Sequence, residues 1–169
     1  PTNTKDYSAH VNPFIGTGGH GHTFPGAVVP HGMIQPSPDT RIDGWDACSG
    51  YYYEDSTING FSHTHVSGTG CCDYGDVLLM PTVGEQRYQT TDPQSQQLAY
   101  SSAFSHENET AEPGYYSVFL DTYQVKAEIS ATKRGAIHRY TFPESSEAGF
   151  ILDLDYSLQR QTNSDMGIE

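Results

Sequence analysis

Between residues 123 and 131 the chain alternates strictly between apolar and polar side chains. The apolar members are Tyr123, Val125, Ala127, Ile129 and Ala131, and the polar members are Gln124, Lys126, Glu128 and Ser130. Because successive side chains of a strand point to opposite faces, this pattern places an apolar row and a polar row on one strand. The segment is therefore predicted to be a half-buried strand of a sheet that covers a core.

Further strands are predicted around this one. Residues 115–120, 136–142 and 149–155 have the composition of strands, and residues 77–80 form a short apolar run closed by Pro81, as expected of a buried strand. Four strands at hairpin spacing in the C-terminal half predict antiparallel pairing. No segment shows a sustained helical period with caps. The predicted fold class is all-β, an antiparallel β-sandwich with long N-terminal loops.

The N-terminal half has a different composition. Residues 11–75 are dense in Gly, Pro, His, Ser and Thr, which favours turns and exposed backbone, and they are predicted to form loops. The polar residues 86–108 are predicted to be loop and edge strand rather than helix. The chain of 169 residues fits one domain, residues 1–169. Residues 159–169 carry no pattern of a terminating strand, so we expect the chain to be part of a longer protein.

The charge of the chain argues against one class of partner. Eight basic and 21 acidic residues give a formal net charge of −13, which would repel a polyanion, so nucleic acid is excluded as a partner. No apolar run is long enough to span a bilayer, and no charged-then-apolar leader opens the sequence. The polar opening residues 1–8 would suit the mature end of an exported protein, and export is expected.

The three cysteines leave their pairing open. Cys48, Cys71 and Cys72 are odd in number, so they cannot all pair within the chain, and their spacing matches no usual zinc pattern. A bridge between the adjacent Cys71 and Cys72 would be strained, whereas either could reach Cys48 if the fold brings it close. The sequence predicts neither a disulfide framework nor a zinc site.

A glycine-rich loop over residues 14–26 packs five glycines around His20 and His22. Backbone of this kind can approach a ligand or another domain closely. The loop matches neither the dinucleotide fingerprint, which needs a preceding strand and a following helix, nor the phosphate loop, which ends in Gly-Lys-Ser/Thr. The alternative is that the loop is a simple connection.

A second segment, residues 37–53, places the single tryptophan beside acids, an arginine and three tyrosines. Aromatic rings cover the C–H face of a pyranose while planar polar groups bind its hydroxyls, so this mixture is typical of sugar binding. Trp45 lies between Gly44 and Asp46, a setting poor for a buried strand, and is predicted to be partly exposed. The alternative is a core tryptophan among surface charges.

A third segment, residues 60–76, carries His63 and His65 among small polar residues. On a strand, both imidazoles would face the same side. Two histidines with Cys and Asp nearby could hold zinc, although histidines paired with neighbouring backbone or hydroxyl groups are commoner.

Together these segments resemble the opening of the α-mannosidases of glycoside hydrolase family 92. The matching blocks are FIGTGGHGHTFPG (14–26), PHGMIQPSPDTR (30–41), GWDACSGYYY (44–53), GFSHTHVSGTGC (60–71), DYGDVLLMP (73–81) and ATKRGAIHRYTFP (131–143). Six blocks in one order over nearly the whole chain are far more specific than any single loop. The resemblance implies an N-terminal β-sandwich that packs on a larger (α/α)₆ barrel, with the active site at their junction.

The resemblance also implies a chemistry and a division of labour. Such enzymes remove terminal α-linked mannose from glycans with inversion, α-1,2-linked mannose being the expectation here, by means of one carboxylic acid and one carboxylate that activates water. The acid, the base and the calcium ligands belong to the barrel, so no catalytic residue and no metal ligand is expected in this chain. The expected contribution is substrate binding, by Gly19, His20, Arg41, Trp45, His63 and His65. The expected location is the periplasm or the surface of a bacterium, and the fragment alone is expected to be inactive and to self-associate.

Three other functions remain open at this point. A stand-alone mannose-binding lectin-like module would use the same sandwich and aromatic residues without a catalytic partner. A purely structural sandwich would use its histidines and Trp45 for packing. A small metallohydrolase would centre on His63, His65 and Asp73, although no H-E-x-x-H or comparable ligand set is present.

Overall fold

The computed structural model describes residues 5–88 and 95–158. The regular structure in these residues is antiparallel strand with three short 3-10 turns, which confirms the all-β prediction. The strands are β1 (Ser37–Asp39), β2 (Thr57–Ile58), β3 (Gly60–Ser62), β4 (Leu78–Val83), β5 (Ser102–Ala103), β6 (Glu109–Glu112), β7 (Tyr115–Leu120), β8 (Val125–Ala131), β9 (Ala136–Thr141) and β10 (Ala148–Asp153). The 3-10 turns are Ser8–His10, Trp45–Ala47 and His106–Asn108.

One sheet is a four-stranded meander in the order β6-β7-β8-β9. The predicted strands over residues 115–120, 123–131 and 136–142 are β7, β8 and β9, and each pairs antiparallel with the next. The apolar row of β8 is buried, with Val125, Ala127 and Ile129 essentially inaccessible to solvent. The alternation over residues 123–131 therefore marks the boundary between core and solvent, as predicted.

Glu128 departs from that alternation, since it lies in the polar row of β8 and is nevertheless buried. Arg139 of β9 covers its carboxylate with two hydrogen bonds, from Nε at 2.8 Å and from Nη2 at 2.6 Å, and the hydroxyl of Tyr115 donates a third at 2.9 Å. These donors lower the pKa of Glu128 to about 2, so the carboxylate stays charged on the outer face of the sheet.

The second sheet has the order β1-β3-β4-β10, so some of its neighbouring strands are far apart in the sequence. The strand predicted over residues 149–155 is β10, and it pairs antiparallel as expected. Its partner, however, is β4 rather than its sequence neighbour β9, with Ile151 opposite Met80. The chain therefore crosses from one sheet to the other between β9 and β10. The short strands β2 and β5 pair separately.

The core lies between the two four-stranded sheets. Phe61 of β3 packs against Tyr116 of β7 and Tyr140 of β9, with ring centroids 6.4 and 6.2 Å apart. Leu78 and Met80 of β4 are fully buried in the same apolar cluster. Complete burial of each such side chain contributes about 1.5–3 kcal/mol, so this cluster is the main source of stability.

A chain of hydrogen bonds through two histidines joins the sheets. His63, just after β3, lies with Nδ1 2.7 Å from the carbonyl oxygen of Val77 and with Nε2 3.1 Å from Nε2 of His138 on β9. Nδ1 of His138 is 2.8 Å from the hydroxyl of Tyr140. A carbonyl oxygen only accepts, so His63 carries its proton on Nδ1 and accepts with Nε2. His138 therefore donates from Nε2 to His63, and its Nδ1 accepts from the hydroxyl of Tyr140.

Both imidazole rings in this series of hydrogen bonds are held neutral. Burial lowers the pKa of His63, and burial together with the charge that His63 would carry lowers the pKa of His138 to about 4. A second proton on Nε2 of His63 would also break the N–H···N contact between the rings, and a second proton on Nδ1 of His138 would break the hydrogen bond from Tyr140.

We expect the protein to lose stability as the pH falls from about 6.5 to about 4. In that window the unfolded chain binds protons at these two histidines that the folded chain does not, so the free energy of unfolding decreases. Because His138 is partly exposed, the loss is expected to be on the order of 1–3 kcal/mol. Urea unfolding at several pH values measures it. The variant His138→Gln, which keeps an amide donor but does not titrate, should flatten this part of the profile, and an equally steep profile in the variant would contradict the assignment.

In the described part of the chain, no helix is long and apolar enough to cross a membrane.

Candidate functional site

The glycine-rich loop folds back on itself. Gly21 N donates to the carbonyl oxygen of Gly18 at 3.3 Å, and Thr23 N donates to that of Gly16 at 3.2 Å, which closes a compact turn around His20. A Cβ on Gly21 would lie 2.1 Å from the Gly16 oxygen, so only glycine permits this approach. The sequence thus uses glycine here to bring two backbone segments together and to leave the His20 side chain exposed.

Trp45 lies on the surface beside this loop. It starts the 3-10 turn Trp45–Ala47, and its residue is 56% exposed, which confirms the predicted partial exposure. The indole Nε1 donates to the carbonyl oxygen of Gly70 at 3.1 Å. The ring also contacts His20 and His22, with centroids 5.3 and 4.3 Å away. The indole is therefore fixed in position while one side remains accessible.

We call His20, His22, Trp45, Asp46 and Gly70 the Trp45 cluster. Around it, bare backbone faces open space: a Cβ on Gly19, Gly44 or Gly68 would have no heavy atom within 4 Å. Each of these glycines has a positive φ. An exposed aromatic ring with unobstructed backbone on several sides is a surface on which a flat polar ligand such as a sugar ring can lie.

His20 and Asp46 form a hydrogen-bonded pair at the edge of this surface. Nδ1 of His20 contacts Oδ1 of Asp46, and the His20 side chain is largely exposed. An exposed pair of this kind contributes little to stability, about 0–1 kcal/mol. Its consequence is orientation, because it holds a planar polar group beside the indole.

A disulfide fastens the loop that carries Trp45. Cys48 is bonded to Cys72, with Cα atoms 4.1 Å apart, and Cys71 is an exposed free thiol. The bridge joins the segment after Trp45 to the segment after Gly70, the residue that accepts from the indole. It resolves the pairing that the sequence left open.

A buried carboxylate holds the glycine-rich loop against the sandwich. Glu109 of β6 accepts hydrogen bonds from the hydroxyls of Tyr51 and Tyr116 and contacts Nδ1 of His106 at 2.6 Å. Burial and the neighbouring charge of Glu109 raise the pKa of both tyrosines, so their hydroxyls stay protonated as donors. The ring of His106 stacks on Tyr53, whose backbone N donates to Thr17 in the loop.

Arg41 lies apart from the Trp45 cluster. Its guanidinium binds Asp55 through Nε and Nη2 at 2.8 Å, and it stacks over the ring of Tyr52 with 4.1 Å to the centroid. Asp55 also accepts from the hydroxyl of Thr40. Arg41 is thus committed to neighbours of its own chain, and its predicted role in substrate binding stays a prediction.

His65 is buried rather than presented to solvent. Its side chain and that of Asp39 are both 0% exposed, with Nε2 of His65 2.8 Å from Oδ1 of Asp39. Nδ1 lies 2.7 Å from the carbonyl oxygen of Gln35. Gly50 packs on this pair, and a Cβ there would lie 2.0 Å from the same Asp39 oxygen. Since Gly50 O accepts from Thr40 N, the hydrogen-bonded His65–Asp39 pair lies beneath the base of the loop that carries Trp45.

The interpretation of His63 and His65 as neighbours on one strand is corrected by the structure. They follow β3 rather than lie on it, and their rings have separate partners, His138 for His63 and Asp39 for His65. Within residues 5–88 and 95–158, no group of three or more His, Cys, Asp or Glu side chains could hold a metal ion. The metallohydrolase hypothesis centred on His63, His65 and Asp73 therefore has no structural basis in these residues.

Of the predicted substrate-binding residues, the structure brings together Gly19, His20 and Trp45, and their role as binding residues stays a prediction. His22, Asp46 and Gly70 belong to the same surface and are not among the residues predicted from the sequence. The signal that could have found His22 is its spacing, since His20 and His22 flank one glycine within the same loop.

The model of the glycosyl hydrolase family 92 N-terminal domain matches residues 10–169. This chain belongs to glycosyl hydrolase family 92. The described strands of the family 92 chain also superpose on solved relatives, so the match covers structure as well as sequence. One is a family GH92 α-mannosidase from Bacteroides thetaiotaomicron in complex with mannoimidazole, at 44% identity and a TM-score of 0.85 over 91% of this chain and 20% of that chain.

Two further relatives also match this chain. A family GH92 inverting mannosidase from Bacteroides thetaiotaomicron VPI-5482 matches with a TM-score of 0.74 and 31% identity, over 92% of this chain and 20% of that one. A protein of Arthroderma benhamiae named as an uncharacterized secreted glycosidase is 31% identical over 145 residues, 83% of this chain and 18% of that protein. The family 92 chain thus spans about a fifth of the length of these relatives.

Proposed function

We propose that this family 92 chain is the substrate-recognition domain of an exo-acting α-mannosidase that removes terminal mannose from glycans with inversion. The observation that supports it best is the exposed Trp45 ring, fixed by Gly70 and flanked by His20 and open glycine backbone. The names of the solved relatives, an α-mannosidase with mannoimidazole and an inverting mannosidase, point to the same substrate. Gly19, His20 and Trp45 are the proposed sugar contacts, and α-1,2-linked mannose is the proposed substrate.

The two carboxyl groups of inverting hydrolysis are proposed to lie outside this chain. Inversion needs a general acid and a general base about 6.5–9.5 Å apart with water between them. The side chain of Asp46 is paired with His20, Asp39 with His65 and Asp55 with Arg41, so these carboxylates already have structural partners. The role left to them is to position the loops around the sugar.

Calcium is proposed for the full-length enzyme and assigned to its other domain. Calcium takes six to eight oxygen ligands, commonly several carboxylates. In residues 5–88 and 95–158, no group of three or more candidate metal-binding side chains is present, so the described residues do not fit a calcium site of their own. No step of the recognition described above passes through a metal.

The partner of this domain is proposed to be an (α/α)₆ barrel of the same protein. Ile137 on β9 and Phe150 and Leu152 on β10 are large, exposed apolar side chains. These side chains would be covered in the intact protein and would make an isolated chain self-associate. Light scattering at several concentrations tests this, and a strictly monomeric isolated chain would count against the docking surface. Export to the periplasm or the cell surface is also proposed, with one relative named as secreted.

Hydrolysis by the full-length protein tests the proposed function. We expect it to release mannose from α-mannobioses with inversion at the anomeric carbon, which NMR of the first-formed anomer reports, and to lose activity when a chelator removes calcium. Residues 1–169 alone, shown to be folded by circular dichroism, should release none. No turnover of any α-mannoside by the intact protein would overturn the proposal, whereas mannose binding without turnover would favour the lectin-like module.

A further inference from the structure

A serine hydroxyl on the outer face of the meander sheet has no polar partner among the described residues. Ser117 of β7 is only 8% exposed, yet its Oγ makes no hydrogen bond to a described group. Other buried serines have partners, since Oγ of Ser49 donates to a backbone carbonyl at 2.8 Å and Oγ of Ser62 lies 3.1 Å from Nε2 of His65. Because buried polar atoms are almost always paired, the hydroxyl of Ser117 is available to a ligand.

This hydroxyl opens onto a groove of about 500 Å³, which we call the Ser117 groove. The side chains that line it are Glu107, Asn108, Thr110, Ser117, Phe119 and Lys126. They come from three neighbouring strands and from the 3-10 turn before β6, with Thr110 opposite Ser117 and Phe119 opposite Lys126. A volume between about 300 and 1,000 Å³ is typical of sites for small ligands.

The polar side chains of the Ser117 groove are free to bind a ligand. The carboxylate of Glu107, the amide of Asn108 and the hydroxyl of Thr110 make no hydrogen bond to a described group. Lys126 has one weak contact, 3.5 Å from Nζ to Glu128. Donors and acceptors of hydrogen bonds therefore surround the half-buried ring of Phe119.

The charges of the groove favour a neutral ligand. Glu107 and Lys126 carry opposite charges, and the chain as a whole, at −13, repels anions. An apolar protein surface suits the groove poorly, because five of the six lining side chains are polar. A pyranose fits this chemistry, since its C–H face can cover the ring of Phe119 while its hydroxyls donate to and accept from the polar groups around the ring.

We propose that the Ser117 groove is a second glycan-binding site, which holds a mannose unit of the substrate glycan outside the Trp45 cluster. The choice of mannose rests on the proposed function. In the described structure, no hydrogen bond, ion pair or ring contact joins the groove to the Trp45 cluster, so the two sites can bind separate parts of one glycan.

Native electrophoresis of the full-length enzyme through gels that contain α-mannan, the soluble polymer of mannose, measures this binding. The comparison uses Trp45→Ala, which weakens the other site, and adds substitutions in the groove. Addition of Phe119→Leu should raise the dissociation constant for α-mannan about tenfold, because it removes the aromatic face. Addition of Phe119→Tyr, which keeps that face, should leave the dissociation constant within about twofold.

Ser117→Ala separates binding from folding. Removal of a buried hydroxyl that lacks a partner should leave the melting temperature unchanged or raise it. In the otherwise wild-type enzyme, the ratio of kcat/KM on α-mannan to kcat/KM on α-mannobiose should fall about fivefold, because only the polymer reaches both sites. Thr141→Val is the matched control: Thr141 is an exposed residue of β9 that lies opposite Lys126 and does not line the groove. Its removal of a hydroxyl should change neither the ratio nor the melting temperature.

The proposal is overturned if Phe119→Leu and Phe119→Tyr are retarded equally by α-mannan, or if Ser117→Ala keeps the wild-type ratio. Both results would leave the proposed function intact as long as the enzyme releases mannose from α-mannobiose. If the wild-type enzyme hydrolyses no mannoside, the proposed function fails. The electrophoresis, which needs no turnover, then still decides whether the groove binds α-mannan.

Discussion

Trp45→Ala in the full-length enzyme should reduce kcat/KM by an amount equivalent to about 2–4 kcal/mol, or about 30- to 1000-fold. The indole supplies the only tryptophan ring of the chain and is 56% exposed beside the glycine-rich loop. Removal of a rigid aromatic contact from the proposed sugar-binding surface would weaken binding in the transition state. Stability should change much less, because the ring is not part of the core cluster and its fixed contacts are one hydrogen bond and two histidine rings.

The measurement is paired, with thermal unfolding and α-mannobiose hydrolysis on the same variant. Tyr7→Ala is the control, since Tyr7 is comparably exposed and its ring contacts Lys5 rather than the Trp45 cluster. We expect the control to match wild type in both assays. A large drop in melting temperature with unchanged kinetics would return Trp45 to a structural role and remove the main support for the recognition surface.

His65→Ala should lower the free energy of unfolding by about 3–5 kcal/mol, the largest effect expected from any single substitution discussed for this chain. The change would leave the carboxylate of Asp39, which is 0% exposed, without the ring that now lies 2.8 Å away. A buried charge without a partner is strongly destabilising. Because the pair lies beneath the loop base at Gly50, we also expect the position of Trp45 to become less defined.

Chemical denaturation of wild type, His65→Ala, Asp39→Asn and the double variant gives the coupling energy of the pair. The double variant should recover part of the loss, since it leaves no unpaired charge. His20→Ala serves as the control, because its partner Asp46 is exposed and the pair should contribute only about 0–1 kcal/mol. If His65→Ala unfolds like wild type yet loses activity, His65 acts on the substrate directly, which is the role that the family resemblance implies.

The strands with a clear period were predicted from sequence alone. The alternation over residues 123–131 and the run over 115–120 became β8 and β7, because side-chain period and burial report the same two faces of a sheet. The loop-like residues 11–75, in contrast, contribute β1, β2 and β3. Strands of two or three residues are too short to show a period, and Pro38 within β1 argues against a strand, so local sequence could not reveal them.

The six ordered sequence blocks determined the family, the apolar–polar alternation determined the sheet-rich fold, and the neighbours Gly44 and Asp46 determined the exposure of Trp45. All three depend on residue type and on short-range pattern. The tertiary structure alone decided which side chains meet. It paired β10 with β4 instead of β9, bonded Cys48 to Cys72, and sent His63 and His65 to different partners. It also left His22, rather than either of those two, as the buried ring without a described partner beside the indole. Such contacts join residues far apart in the chain, and whether a polar side chain is buried with a partner or without one follows from the packing of the loops and not from spacing.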